Sequence, residues 1–175
     1  MNAAAYLAPG WRCEPSGARA DLVEVIKAAV GCVGIVEQPP GSNRGPWIDE
    51  VLRRAGLQPG MAWCAASVSE WYARMEHPAM PRRGSAYKIH TWAEQNGLLV
   101  DLDGELLPGD ILGVFQKDNP ATPKREDFHG HVGLYVSDLG GGKLATIEGN
   151  VHSACRGVVR TRADWGWAVR PLPVL

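Results

Sequence analysis

The stretch HVGLYVSDLGGGKLATIEGN, residues 131–150, decides the fold of this chain. It contains two runs rich in β-branched and aromatic residues, HVGLYVSD and KLATIEGN, which are separated by LGGG. Two such runs on either side of a glycine-rich turn are typical of antiparallel strands joined in a hairpin. The sequence therefore predicts a β-hairpin whose open end carries the first residues of one strand and the last residues of the other.

The predicted register brings polar residues together at the open end of the hairpin. Counting outward from the turn pairs Asp138 with Lys143, Tyr135 with Thr146, Gly133 with Glu148 and His131 with Asn150. Directly opposed residues lie about 5 Å apart and diagonal ones roughly 7–8 Å apart, so His131 has Asn150 across from it and Glu148 on the diagonal. A carboxylate or an amide that orients an imidazole is the third member of a catalytic Cys–His site. The arrangement requires this register, because a slip of one residue would turn the side chains to the other face.

The segments around this hairpin change from helical to strand-like along the chain. Four upstream segments have helical spacing or helix-end signals: ARADLVEVIKAAVGCVGI, WIDEVLRRAG, CAASVSEWYARM and SAYKIHTWAEQNG. Three further segments read as strands: GDILGVFQ, GVVRTRA and WAVRPL. Helices followed by strands indicate an α+β fold, in which N-terminal helices pack on a C-terminal antiparallel sheet of about five strands.

The chain length of 175 residues suits one domain. We expect residues 1–18, which are rich in Ala, Pro and Gly, to form a loose lead-in, and residues 19–175 to form a single domain. The first helix of this domain is predicted to bury one apolar stripe, formed by Leu22, Val25, Ile26, Ala29, Val30 and Val33.

Composition excludes several classes of partner. The formal net charge is −1, so there is no basic excess to favour binding to nucleic acid or to an anionic membrane surface. No apolar run reaches about 18 residues, which predicts no membrane insertion. The start MNAAAYLAPGWRCEPSG lacks the basic and apolar regions of a signal peptide. We expect a monomeric protein that is synthesised in the cytoplasm without a signal peptide.

Cys64 is the cysteine with a chemically distinctive position. The four cysteines, at positions 13, 32, 64 and 155, form no CxxC pair, which argues against a disulfide scaffold and a structural zinc site. The sequence leaves open whether Cys13 and Cys155 form a disulfide bond. Cys64 follows the loop QPGMAW and begins a helical pattern. The free N–H groups at a helix start lower the pKa of a thiol and can bind an oxyanion, whereas an isolated cysteine is more often a buried hydrophobe.

His131 is the best candidate for the base that a catalytic thiol requires. The neighbouring His129 in HGH allows a zinc site with Cys64 as an alternative, but no third spaced ligand pair supports it, so we expect no metal. The remaining histidines have other predicted roles. His77 is predicted to cap a helix end at the surface, His90 to pack within a helix, and His152 to be exposed to solvent.

Four motifs in a fixed order carry a resemblance to a known family. AWCAASVSEWY, LPGDILGVF, HGHVGLYV and TIEGN resemble the CHAP family, the cysteine- and histidine-dependent amidohydrolases and peptidases of phage lysins and bacterial wall hydrolases. The upstream GIVEQPPGSNRGPWIDEVL also resembles a segment common before the cysteine in that family. The resemblance covers roughly residues 20–171. It implies a papain-like, CHAP-like catalytic domain.

The resemblance also implies a role for each candidate residue. Cys64 would be the nucleophile, and His131 would be the general base and later the acid. Glu148 would orient the imidazole, and Asn150 would complete the polar site, near the histidine or near the oxyanion. The same resemblance suggests that two residues of the loop before the second helix help to shape the site, Glu37 and Asn43. No cofactor is expected. Some family members have an acidic calcium loop before the cysteine, but GLQPGMAW contains no carboxylate, so we expect no calcium site.

The expected substrate is an amide bond of peptidoglycan, either the muramoyl–L-alanine bond or a bond inside the peptide. The protein would act on the cell wall or in the periplasm after delivery, as a phage lysin, a secreted toxin or a housekeeping hydrolase, with a delivery or immunity protein as a partner. Two other classes stay open: a non-catalytic wall-binding module, and a papain-like peptidase or acyltransferase with a non-wall substrate. A slowly reacting Cys64 would favour the first, and a reactive Cys64 that leaves peptidoglycan intact would favour the second.

Overall fold

Four helices and an antiparallel sheet make up the part of the chain that the computed structural model describes, residues 5–6, 20–75, 80–115 and 130–171. The helices are α1 (Ala20–Val30), α2 (Pro46–Arg54), α3 (Cys64–Tyr72) and α4 (Ala86–Gln95). The strands are β1 (Ala5–Tyr6), β2 (Leu99–Val100), β3 (Ile111–Phe115), β4 (Gly130–Gly140), β5 (Lys143–Val151), β6 (Ala154–Thr161) and β7 (Trp167–Val169). The predicted α+β fold is confirmed, and all four predicted helices are present.

The sheet is larger than the sequence predicts. Its strand order is β1-β6-β5-β4-β3-β7-β2, and every neighbouring pair is antiparallel. The five predicted strands are β3 to β7, whereas β1 and β2 have two residues each, too few to give an alternating pattern. Because β1 lies inside residues 1–18, the expected loose lead-in contributes an edge strand that pairs with β6.

The apolar stripe of α1 is confirmed at its first four positions only. Leu22, Val25, Ile26 and Ala29 are buried, but Val30 and Val33 are 37% and 47% exposed. The helix ends at Val30, so helical spacing no longer applies beyond it. The turn that follows buries Cys32 instead of Val33, and Cys32 is 2% exposed.

The sheet has two covered faces, and α3 fills the centre of one of them. Every residue of α3 is buried, and α3 contacts β4 and β5 on one side and the other three helices on the other. Val132 and Leu134 of β4 face this helical core. Tyr135 faces a smaller core on the opposite side of the sheet, together with Leu106, Leu112, Leu144, Trp165 and Ala168. None of the helices within the described ranges has the length and apolarity needed to cross a membrane.

The hairpin between β4 and β5 has the predicted register in the middle but not at the turn. Tyr135 is opposite Thr146, as predicted. The prediction that Asp138 pairs with Lys143 is wrong, because Asp138 is opposite Leu144 and Lys143 is opposite Gly140. Two irregularities in β4, between 135 and 137 and between 138 and 140, absorb the difference. The register that matters for the open end of the hairpin is therefore set by its centre and not by its turn.

Gly149 marks a close approach of β5 to the start of α3. A Cβ atom at Gly149 would lie 2.9 Å from the Ser67 Cβ and 3.0 Å from the ring of Trp63. We expect Gly149→Ala to lower the free energy of unfolding by about 1–3 kcal/mol, because overpacking of a dense core has this cost. Urea denaturation measures the effect. Gly31→Ala is the control, since its Cβ would meet only the carbonyl oxygens of Lys27 and Ala28 at 3.4 and 3.6 Å, and an unchanged midpoint for Gly149→Ala would contradict the prediction.

Candidate active site

Cys64 is the first residue of α3, as the sequence predicts, and it is 6% exposed. The preceding Trp63 caps the helix with φ −119° and has no side-chain capping bond. Its carbonyl oxygen accepts the Ser67 N–H at 2.9 Å, which is the first backbone bond of the helix. The backbone N–H groups of the first turn are therefore not used by the helix itself and are available to an anion at or beside Cys64.

His131 meets Cys64 where the start of β4 abuts the start of α3. The imidazole forms a hydrogen bond with the Cys64 thiol. Both backbone neighbours of His131 also face this thiol: the carbonyl oxygen of Gly130 lies 4.0 Å from Sγ, and the N–H of Val132 donates to the sulfur. The structure thus brings together the predicted nucleophile and the predicted base.

Glu148 is the residue that contacts the far side of the imidazole. Its Oε2 lies 2.7 Å from Nε2 of His131, and its side chain is fully buried. Because Nε2 is engaged by the carboxylate, Nδ1 is the ring nitrogen left for the thiol. Between the two orienting residues that the sequence allowed, Glu148 and Asn150, this contact favours Glu148. The three side chains form a Cys–His–Glu series of the kind used in nucleophilic catalysis.

Glu148 is itself held by two residues that the sequence analysis missed. Arg160 of β6 binds it through both carboxylate oxygens, with Nε 2.9 Å from Oε1 and Nη2 2.7 Å from Oε2. The Thr146 hydroxyl donates to Oε1 at 2.6 Å. A bidentate arginine fixes both the position and the plane of a carboxylate. The available signal was an arginine inside the apolar strand GVVRTRA, because a charge on a buried strand needs a partner.

Trp165 completes the surroundings of the imidazole. Its ring stacks on that of His131, with centroids 6.2 Å apart and an interplanar angle of 17°, and the Arg160 guanidinium lies 5.9 Å from its ring centroid. Tryptophans such as Trp165 and Trp167 can either line a sugar-binding groove or pack in the core. Both are buried, at 6% and 7% exposure, so packing is their observed role. Trp165 restricts the orientation of His131 from the side that faces away from the helical core.

The charges in this site favour a thiolate beside an imidazolium. Burial opposes ionisation of Cys64, but the hydrogen bond and charge of His131, with the N–H groups of Val132 and Ala65, lower the pKa of the thiol below its ordinary value. Burial also opposes the charged imidazole, but its hydrogen bonds to Cys64 and Glu148 raise the pKa of His131 to about 10. In the same way burial opposes the ionised carboxylate, yet Arg160 and His131 lower the pKa of Glu148 to about 2. At neutral pH the imidazole and the carboxylate are therefore charged, and the thiolate form of Cys64 is favoured over that of an ordinary cysteine.

Asn150 is directed away from the imidazole. It has a left-handed backbone conformation, φ 62°, in the irregular part of the β5–β6 ladder between Glu148 and Val151. With the amide oriented to suit its neighbours, its nitrogen donates to Asn43 Oδ1 at 3.1 Å and to Glu37 Oε1 at 3.2 Å, and its oxygen accepts the Trp63 N–H at 3.2 Å. The β4–β5 pairing ends at Leu134 and Ile147, so the predicted pairing of His131 with Asn150 is not part of the ladder, and the Asn150 amide bonds residues at and before the start of α3.

Gly133 provides the space that the Glu148 side chain occupies. A Cβ at Gly133 would lie 2.6 Å from Cγ of Glu148 and 3.2 Å from the Trp165 ring. We expect Gly133→Ala to displace the carboxylate from His131 and to raise the pKa of Cys64 by about one unit, which lowers the alkylation rate about tenfold on the acid limb of its pH profile. This rate is measured by alkylation with iodoacetamide, quenched at fixed times and quantified by mass spectrometry. A rate equal to that of the wild type would show that Glu148 does not need this space.

The other cysteines and histidines do not join this site within the described residues. Cys32 and Cys155 are buried free thiols, and burial raises the pKa of each. His90 packs edge-on against Phe115 and Trp167, and His152 is exposed, as expected. No group of three or more His, Cys, Asp or Glu side chains in the described ranges is arranged to hold a metal ion. Three residues of the sequence analysis lie outside the described residues: Cys13, His77 and His129.

An open cleft of about 360 Å³ lies beside the thiol. Its lining includes small or apolar residues at the starts of α3 and α4, among them Ala62, Ala65, Ala86 and Tyr87. Apart from the Cys64 thiol itself, the described residues that line the cleft have uncharged side chains. Because Cys64 lies in the lining, a substrate carbonyl that enters this cleft meets the thiol.

Comparison with protein-family models, with curated proteins and with solved structures finds no match to this chain. The family resemblance therefore stays a prediction from the sequence motifs.

Proposed function

We propose that this chain is a papain-like cysteine hydrolase of the CHAP type that cleaves an amide bond of bacterial peptidoglycan. The observation that carries the proposal is the contact series from the Cys64 thiol through the His131 imidazole to the Glu148 carboxylate, with 2.7 Å between Nε2 and Oε2. A thiol with a lowered pKa at a helix start is suited to nucleophilic attack. The choice of peptidoglycan as substrate rests on the four ordered motifs.

In this mechanism the Cys64 thiolate attacks the scissile carbonyl carbon. Backbone N–H groups at the start of α3 stabilise the tetrahedral oxyanion. The imidazolium of His131 gives its proton to the leaving amine, and the acyl group stays on sulfur as a thioester. His131, now neutral, takes a proton from a water molecule, which attacks the thioester and releases the acid and the thiolate. Glu148 keeps the imidazole in one orientation during both proton transfers.

The proposed site of action is the cell wall or periplasm after delivery of a monomeric protein. A delivery protein and, if the chain is a toxin, an immunity protein would be its partners. The proposed substrate bond is either the muramoyl–L-alanine bond or a bond inside the stem peptide. The mechanism uses no cofactor, because the thiolate, the imidazolium and the helix start supply the nucleophile, the acid and the oxyanion donors.

The test is digestion of purified Gram-negative and Gram-positive peptidoglycan, with soluble products read by mass spectrometry. We expect the wild type to release fragments, Cys64→Ala to release none, and the matched control Cys155→Ala to release them at a rate near that of the wild type. The fragment masses distinguish amidase from endopeptidase cleavage. Absence of fragments from both wall types would refute the choice of substrate, and a reactive Cys64 in that case would favour an acyl substrate of another class.

A further inference from the structure

Glu37 is a buried carboxylate that the proposed mechanism does not use. It lies in the loop between α1 and α2 and is 3% exposed. Its backbone N–H donates to the Ser153 carbonyl oxygen at 2.8 Å, so the residue is anchored to the turn between β5 and β6. Its side chain contacts Trp63, the residue before α3.

This carboxylate is connected to Trp63, the residue before the nucleophile, by one direct hydrogen bond and by a second path through Asn150. Oε1 of Glu37 accepts the indole N–H of Trp63 at 3.0 Å and the amide N–H of Asn150 at 3.2 Å. The Asn150 oxygen in turn accepts the backbone N–H of Trp63 at 3.2 Å. Trp63 is therefore held at its ring and at its backbone by one connected set of acceptors. Because Trp63 caps α3, fixing it also fixes the direction in which Cys64 leaves the helix start.

Asn43 extends the same network to the loop ahead of Trp63. It accepts the Asn150 N–H at 3.1 Å and donates to the Gly60 carbonyl oxygen at 3.3 Å. Asn43 has φ 53°, a left-handed conformation that asparagine tolerates better than most residues. Residues 60 and 63, at the two ends of the segment that leads into Cys64, are thus held by one hydrogen-bonded cluster of Glu37, Asn43 and Asn150.

Stability alone does not account for a glutamate at this position. Its second oxygen, Oε2, is buried and has no hydrogen-bond partner among the described residues. A buried acceptor without a donor is unfavourable, and an apolar side chain at this position would leave no such unpaired oxygen. The residue therefore has a cost to folding, which is a common property of side chains that serve a site.

We propose that Glu37 is a positioning residue of the candidate active site: by bridging Trp63 and Asn150, it holds the segment before α3 so that the Cys64 sulfur stays against His131. The inference rests on the proposed function for its meaning, but it makes a claim about the geometry of the thiol that needs no substrate. Loss of the bridge lets the segment relax, and the thiolate then loses part of its contact with the imidazole and the helix start.

The test measures the alkylation rate of Cys64 from pH 5 to 9 in folded Glu37→Leu and Glu37→Gln proteins. We expect Glu37→Leu to shift the acid limb of this profile upward by about one pH unit, which lowers the rate about tenfold at a pH where both proteins are on that limb. Glu37→Gln keeps the Oε1 acceptor and is expected to remain within about threefold of the wild type. Glu70→Gln is the matched control, because Glu70 is equally buried at 3% but pairs with Arg54 and Arg82.

A purely structural role would lower the melting temperature of Glu37→Leu and leave the pH profile of the folded protein unchanged, and this result would overturn the proposal. A profile for Glu37→Gln as altered as that of Glu37→Leu would overturn it as well. If Glu37→Leu does not fold, Asn43→Gly decides, because glycine adopts the same φ and removes only the amide. We expect a smaller shift in the same direction, and an unshifted profile would count against the network.

The two proposals fail in different ways. Intact peptidoglycan in the digestion test would remove the proposed substrate and leave the alkylation profiles as valid measurements of the thiol. Identical profiles for Glu37→Leu and the wild type, together with peptidoglycan cleavage, would remove the role of Glu37 and leave the hydrolase. Where cleavage occurs, we expect Glu37→Leu to lower kcat with KM nearly unchanged, because the bridge acts on the nucleophile and does not line the described cleft.

Discussion

Replacing Glu148 with alanine is expected to lower turnover by about 10²–10⁴-fold and the free energy of unfolding by about 3–5 kcal/mol. The first effect follows because the His131 imidazole loses the acceptor at Nε2. The second follows because Arg160, whose side chain is 15% exposed, would be left as a partly buried charge without its carboxylate. Product release from peptidoglycan and urea denaturation measure the two effects separately.

The control for this experiment is Glu148→Gln. Glutamine has the same shape and keeps an oxygen for Arg160 and Thr146, so we expect it to recover part of the lost stability. It lacks the charge that helps to raise the pKa of His131, so we expect its turnover to stay low. Wild-type turnover in both variants would show that the carboxylate is a structural ion-pair partner of Arg160 and has no part in catalysis.

Replacing His131 with alanine is expected to lower turnover by about 10⁴-fold while the protein stays folded. In the proposed mechanism the imidazole is the acid for the leaving amine, the base for deacylation and the cation beside the thiolate. Its loss also removes the main interaction that lowers the pKa of Cys64, so the thiol should react like an ordinary cysteine. Turnover and Cys64 alkylation are measured on the same preparations.

His90→Ala is the matched control for His131→Ala. His90 is a second histidine of intermediate burial, and it packs against Phe115 and Trp167 rather than against the thiol. We expect its removal to change turnover by less than about threefold, as is usual for substitutions away from a site. Fast alkylation of Cys64 at pH 6 in His131→Ala would contradict the assignment of His131 as the partner of the thiolate.

The sequence predicted most of the sheet and the centre of the site because alternation and turn residues are local signals. The runs before and after LGGG defined β4 and β5, and the pairing of Tyr135 with Thr146 followed from them. The turn itself was misplaced because bulges add residues to one strand without changing the apolar pattern. The edge strands β1 and β2 were missed because two residues carry no pattern.

The parts of the site that were missed depend on contacts distant in sequence. Arg160 reaches Glu148 from the next strand, and Trp165 reaches His131 from the segment after it, so no local pattern connects them. The direction of the Asn150 side chain depends on its positive φ, a backbone property that the motif TIEGN does not specify. Side chains that touch across strands can be predicted from register, but those that depend on a bulge cannot.

The pH dependence of Cys64 alkylation in the wild-type protein tests the central claim most directly. We expect a thiolate–imidazolium pair to persist below neutral pH, because His131 lowers the pKa of Cys64 and the pKa of His131 is raised to about 10. The rate constant for iodoacetamide, followed by mass spectrometry of the Cys64 peptide, should therefore change less than about threefold between pH 8 and pH 6. Cys32 and Cys155 are buried references in the same sample. A rate for Cys64 that falls about tenfold with each pH unit below 9, as for an ordinary thiol, would contradict the account.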